Sequence, residues 1–147
     1  PRRVTIDDIE AIVGDAAATA LGEAIDGAFA GDAAGMLPAL AKLTVAGERP
    51  DMILTAALNH AWSLAQGLAQ VEAGQAPRTV AERAIPFFRR RPSFERQLQI
   101  WRREGMAPTI RQLGDTILAA RSRPDMAASQ LDRMMLRIAL SARRARN

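Results

Sequence analysis

One histidine, no cysteine and a dense run of arginines decide what chemistry this 147-residue chain can attempt. The histidine, His60, lies on the apolar stripe of a long helical segment, two residues before Trp62. A metal site built on it needs further ligands on the same helix face, one turn away. No carboxylate stands at i±3 or i±4, and there is no second histidine and no thiol. His60 therefore reads as a structural or partner-contact residue. The densest acidic cluster, Asp7, Asp8 and Glu10, is explained by a solvated first helical turn, where carboxylates favour the positive end of the dipole. No G-x-x-x-x-G-K-[ST] loop is present, and Gly22, Gly27, Gly31 and Gly35 follow no strand. Ser63, Ser93, Ser122, Ser129 and Ser141 have no histidine at a spacing that suggests an activated nucleophile. The expectation is a chain that is not an enzyme by itself, with no cofactor and no metal site.

What remains is binding, and it centres on residues 85–103, I-P-F-F-R-R-R-P-S-F-E-R-Q-L-Q-I-W-R-R. This stretch holds Phe87, Phe88, Phe94 and Trp101 together with Arg89, Arg90, Arg91, Arg96, Arg102 and Arg103. Arginines interleaved with aromatic rings can hold a phosphate backbone and stack a base. Arg89, Arg90, Arg91 and Phe94 are the candidate DNA-binding residues on this reading. The competing reading puts the rings in the core between helices and the arginines in water. Pro92 suits the first turn of a helix, because its φ is fixed and its missing N–H is not needed there. A basic loop is thus expected to feed a helix starting near Pro92 or Ser93. Phe94, Leu98 and Trp101 then share one apolar face at i, i+4 and i+7.

Composition bounds the elements that must position these residues. Hydrophobic residues make up 48% of the chain, enough for a core and too many for disorder. The length suits one domain. No apolar run approaches the ~18 residues of a membrane span, so no membrane partner is expected. The absence of cysteine fits a reducing compartment, and the cytoplasm is the expected location. No signal peptide is evident, and a first residue of Pro rather than Met suggests a processed or excised chain. Charge is split. Residues 1–77 carry four basic against ten acidic side chains, a net of −6, whereas residues 78–147 carry sixteen arginines against six acids, a net of +10. The asymmetry predicts one acidic and one basic face. Arginines lining solvated helix faces would give the same count.

Apolar spacing follows 3.6 residues throughout, and no segment alternates for long enough to form a strand. Thr5 caps a first short helix carrying Ile6, Ile9, Ile12 and Val13, which Gly14 is expected to end. A second helix runs from Ala16 to about Ala30, with Leu21, Ala24, Ile25, Ala28 and Phe29 inward. Asp32 caps a third, which carries Met36, Leu37, Leu40 and Leu43 and ends at Ala46 and Gly47. Pro50 opens a long helix to about Ala73 with Ile53, Ala57, His60, Ala61, Leu64 and Leu68 on its stripe. The mid-helix Gly67 implies a closely packed neighbour. One or two turns over residues 79–84 precede the basic loop, and Glu104 with Gly105 should stop the helix begun at Pro92. Helices over 107–123, with Ile110, Leu113, Ile117 and Leu118 inward, and over 127–142 complete an all-α bundle of about five main helices preceded by a short one. The last presents Leu131, Met134, Met135, Ile138 and Ala142, with Leu136 and Leu140 off that face and a basic, frayed end after it.

Three stretches carry a resemblance. V-T-I-D-D-I-E-A-I-V-G-D-A-A over 4–17, followed by L-x-x-A-I-D-G-A-F-A-G-D over 21–32, resembles the delta subunit of the bacterial DNA polymerase III clamp loader. I-P-F-F-R-R-R-P-S-F-E-R-Q-L-Q-I-W over 85–101 is similar to the alphaproteobacterial version. The order and spacing agree over nearly the whole chain. The resemblance implies that residues 1–15 end the AAA+ lid-like domain and residues 16–147 form the C-terminal helical collar domain. It implies an assembly role in replication, in which the fragment docks against gamma/tau and helps close the collar ring with delta-prime. Delta has no working ATP site in the family. In the family the sliding clamp is bound by the N-terminal domain, which on this resemblance would be missing here. The family's collar also lies near the primer-template junction, so primer-template DNA is a further partner, with Arg89, Arg90, Arg91 and Phe94 the candidates by residue type rather than by a matched motif. Two alternatives stand beside this: a stand-alone helical nucleic-acid-binding protein using the basic half, and a helical adaptor.

Overall fold

The computed structural model describes residues 3–147, without the side chains of residues 9–13. The stripe residues Ile9, Ile12 and Val13, and Glu10 of the acidic cluster, therefore have side chains outside the described set. Among the described residues there are helices and no strand. They are α1 (Ile6–Ala30), α2 (Ala33–Val45), α3 (Pro50–Glu72), α4 (Pro77–Ala84), α5 (Arg91–Ile100), α6 (Arg103–Ser122) and α7 (Ala127–Arg146). Short 3-10 turns, Phe88–Arg90 and Pro124–Met126, lead into α5 and α7. The all-α expectation holds, and the five longest helices, α1, α2, α3, α6 and α7, are the main ones expected.

The separate short helix at the start is not seen. Thr5 caps α1 in a full capping box with Asp8: Asp8 N–H donates to Thr5 Oγ1 at 3.1 Å, and Thr5 N–H donates to Asp8 Oδ2 at 3.0 Å. The helix then continues through Gly14 for 25 residues. A glycine inside a helix weakens it by about 1 kcal/mol without forcing an end, and Gly14 does not take the left-handed conformation that a cap requires. Gly31 does, at φ 77°, and its N–H bonds back to the Ala28 and Gly27 carbonyls. No break in secondary structure therefore lies beneath a division at residue 15. Between α1 and α2 the chain turns sharply, because Gly27 lets the backbone of Met36 approach to where a Cβ would lie 3.0 Å from its nitrogen. Asp32 caps α2 through Gly35 N–H at 3.0 Å.

α3 is the central helix, touching α1, α4, α5, α6 and α7. Its expected stripe, Ile53, Ala57, His60, Ala61, Leu64 and Leu68, is buried throughout. Gly67 is where α4 and α5 press in: an added Cβ would sit 2.9 Å from Leu98 Cδ2 and 3.1 Å from Val80 Cγ1. The near end of α3 is tied to α6 by Asp51, which is buried. It accepts a two-pronged pair from Arg49 at 3.1 and 2.8 Å and a longer contact from Arg121 at 3.4 Å.

Two further boundaries differ from expectation. α5 ends at Ile100 and α6 begins at Arg103, so Glu104 and Gly105 open a helix rather than close one. The break comes at Trp101, whose backbone is extended (φ −82°, ψ 149°). Its ring is buried, and its indole N–H donates to the Phe29 carbonyl at 2.8 Å. That tertiary bond holds the corner. α7 also runs on to Arg146 rather than fraying after Ala142. Leu118, expected inward, is exposed.

Candidate functional site

Two residues singled out in the sequence, His60 and Phe94, meet where α1, α3 and α5 come together. α3 brings His60 inward because its apolar stripe faces the core. α1 brings Phe29 and, one turn earlier, Asp26. α5 brings Phe94 and Gln97, one turn apart along one face. His60 is 7% exposed and Gln97 not at all. The imidazole packs against Phe29, with centroids 4.8 Å apart, and meets Phe94 edge-on at 5.6 Å.

A chain of polar contacts leads out of this core. His60 Nε2 and Gln97 Oε1 are 2.7 Å apart. The Gln97 Nε2 amide donates to Asp26 Oδ1 at 3.3 Å and to Ser93 Oγ at 3.0 Å. Those acceptors fix which way the amide faces, so its oxygen points at the imidazole and His60 Nε2 must carry the proton. Asp26 in turn accepts from Arg90 through two bonds, Nε–Oδ2 at 2.8 Å and Nη2–Oδ1 at 3.0 Å. Burial pushes the His60 pKa below its ordinary value of 6.5. The Gln97 hydrogen bond and the Asp26 charge oppose that shift, and the Arg90 charge adds to it. His60 is thus a neutral hydrogen-bond donor at pH 7. Asp26 and Gln97 were not singled out from the sequence, and Ser93 was set aside there for want of a histidine at a suggestive spacing. Their signal was weak: a lone carboxylate on the inward edge of α1, and a glutamine between two apolar positions of α5.

The four candidate DNA-binding residues are not brought together as one surface. Phe94 is fully buried, so its ring has no free face on which a base could stack; the core reading of this residue is the one seen. Arg90 is engaged with Asp26. Arg91 folds back on its own loop, donating to the carbonyls of Ile85 at 2.8 Å and Pro86 at 3.1 Å. Arg89 alone points outward, its guanidinium 5.7 Å from the Phe88 ring. Phe87 and Phe88, by contrast, are 52% and 62% exposed and touch edge-on, so the core reading fails for them.

Above the Asp26–Arg90 pair lies an open cleft of about 1500 Å³ between α1 on one side and the 3-10 turn and α5 on the other. Phe87, Arg89 and Arg96 line it, as do Asp15, Ala18 and Glu23 of α1. Among the described residues no group of three or more His, Cys, Asp or Glu side chains could hold a metal ion, and no helix is long and apolar enough to cross a membrane. Compared with known proteins, the chain matches no family model, no curated protein and no solved structure.

Proposed function

We propose that this chain is a C-terminal collar domain of a bacterial DNA polymerase III delta subunit, a cytoplasmic assembly domain without catalysis of its own. Residues 1–15 are, on this proposal, the end of the lid-like domain. One observation supports it above the others. Two of the three stretches that carry the resemblance, 21–32 and 85–101, bind each other. Arg90 pairs with Asp26, Gln97 donates to Asp26, and Trp101 donates to the Phe29 carbonyl. Residues 64 to 72 positions apart thereby form one unit, which is what a shared structural module requires.

The partners are gamma/tau and delta-prime. Primer-template DNA is a further one; in the family the sliding clamp is held by an N-terminal domain. Co-expression with alphaproteobacterial gamma/tau and delta-prime tests the proposal. Co-purification at physiological salt supports it, and a chain that elutes alone refutes it. A stand-alone nucleic-acid-binding protein is the second reading, favoured by Arg89 and Arg96, which make no ion pair or hydrogen bond among the described residues. Titration with primer-template DNA at two salt concentrations separates the two. Salt-sensitive binding lost in the Arg89→Ala, Arg90→Ala, Arg91→Ala triple variant, without co-purification, favours the second.

A further inference from the structure

The cleft between α1 and α5 carries opposite charges on its two sides. Its α1 side presents the exposed carboxylates Asp15 and Glu23, eight residues apart, or about 12 Å of helix rise. Its α5 side presents the guanidiniums Arg89 and Arg96. None of these four makes an ion pair or a hydrogen bond among the described residues, although opposite charges line the same cleft. The pair that does close, Arg90 with Asp26, shows that α1 and α5 can neutralise each other where they touch.

Ala18 lies between the two carboxylates on α1, and one turn further on Gly22 is held free of a side chain by Arg90, whose Cδ would stand 3.3 Å from an added Cβ. Gly22 is thus covered by Arg90, and it is the small, exposed Ala18 that leaves room for another backbone. At the mouth, Phe87 exposes about half its surface, and aromatic rings are common anchors of protein contacts. The cleft volume matches roughly a dozen residues of α-helix at a diameter of about 10 Å.

We infer that this cleft is a docking groove for one amphipathic helix of a partner protein. The helix carries acidic side chains along the edge that meets Arg89 and Arg96, and basic side chains along the edge that meets Asp15 and Glu23. A ridge of small or aliphatic residues lies between the two edges and beneath Phe87. Nucleic acid is the poorer occupant, because the carboxylates of the α1 side repel phosphate. The inference does not rest on the clamp-loader reading: a helical adaptor would use the same groove.

The test is selection of a displayed library of helical peptides, roughly a dozen residues long, against the full chain at physiological salt. Recovered peptides are expected to carry acids on one edge and bases on the other. They should bind Ala18→Trp, which fills the groove, about tenfold or more weakly. Thr19→Arg is the second blocking variant should Ala18→Trp fail to fold, as judged by its circular dichroism melt. Selection on the Asp15→Lys, Glu23→Lys variant, whose groove is basic on both sides, should recover peptides acidic on both edges. Three results overturn the inference: no peptide recovered, peptides that bind the blocked variants as well as the original chain, or peptides lacking either charged row. Competition by single-stranded oligo(dT) that depends on Arg89 and Arg96 overturns it in favour of a nucleic-acid surface. Because no clamp-loader subunit is used, failure here and failure of co-purification are distinguishable.

Discussion

Replacing Gln97 by leucine tests the buried polar chain at its central link. Leucine has nearly the size of glutamine but accepts nothing, so the His60 Nε2–H is left without a partner in a site where water does not reach. An unsatisfied buried donor costs about 1–3 kcal/mol. The bond to Asp26 is long, at 3.3 Å, and Asp26 keeps both bonds from Arg90, so its loss adds about 0.5–1 kcal/mol. The more apolar side chain recovers roughly 1 kcal/mol. The net is a loss of about 2 kcal/mol, or a fall in Tm of roughly 4–8 °C for a chain of this length.

Urea unfolding followed by circular dichroism measures this loss directly, provided the slope stays unchanged. The double variant His60→Leu, Gln97→Leu removes donor and acceptor together. It should be more stable than the sum of the single losses predicts, by about 1–2 kcal/mol. A Gln97→Leu loss below about 0.5 kcal/mol, or a strictly additive cycle, would show that the imidazole proton finds another partner and that the chain of contacts is incidental.

Three further outcomes follow from the same geometry. Because burial lowers the His60 pKa in the folded state, the unfolded chain binds the extra proton more readily. This contribution to stability is fully present above about pH 6.5 and is lost as pH falls below it, so the urea midpoint should drop between pH 7 and 5.5, and drop less in His60→Gln, which keeps a donor but does not titrate. The mid-helix glycines should respond with opposite sign. Gly67→Ala drives a methyl against Leu98 and Val80 and should destabilise by about 1 kcal/mol despite its helix propensity, whereas Gly114→Ala meets nothing within 4 Å and should stabilise by about 0.5–1 kcal/mol, both read as shifts in Tm. Neighbouring arginines should likewise differ: Arg90→Ala removes a two-bond pair to a mostly buried carboxylate and should cost about 1–2 kcal/mol, while Arg89→Ala should stay within about 0.5 kcal/mol in the same denaturation assay.

Much of the fold was legible because apolar spacing is local information. The stripes of α3 and α7 are buried at every residue expected of them, and Leu136 and Leu140 lie off the core face as their spacing implies. Boundaries failed where tertiary contact outweighed a local signal. Gly14 and Gly105 look like stops in sequence, yet each sits inside a helix, and the corner after α5 is set instead by the Trp101 bond to the Phe29 carbonyl. Arg89, Arg90 and Arg91 have the same side chain in sequence. They differ only in what the fold sets beside each: an aromatic ring, a carboxylate and two carbonyls. No periodicity carries that distinction. The pairing of Asp26 with residues of α5 was equally invisible, since it joins positions 64 and 71 residues apart. Only the resemblance marked both stretches at once.

The central claim is that this helical scaffold exists to bind sister subunits. Sedimentation velocity on the purified chain mixed with a purified alphaproteobacterial gamma/tau collar fragment tests it most directly. The account predicts a faster-sedimenting boundary that contains both proteins and persists at physiological salt. Two independent boundaries at every mixing ratio would contradict it.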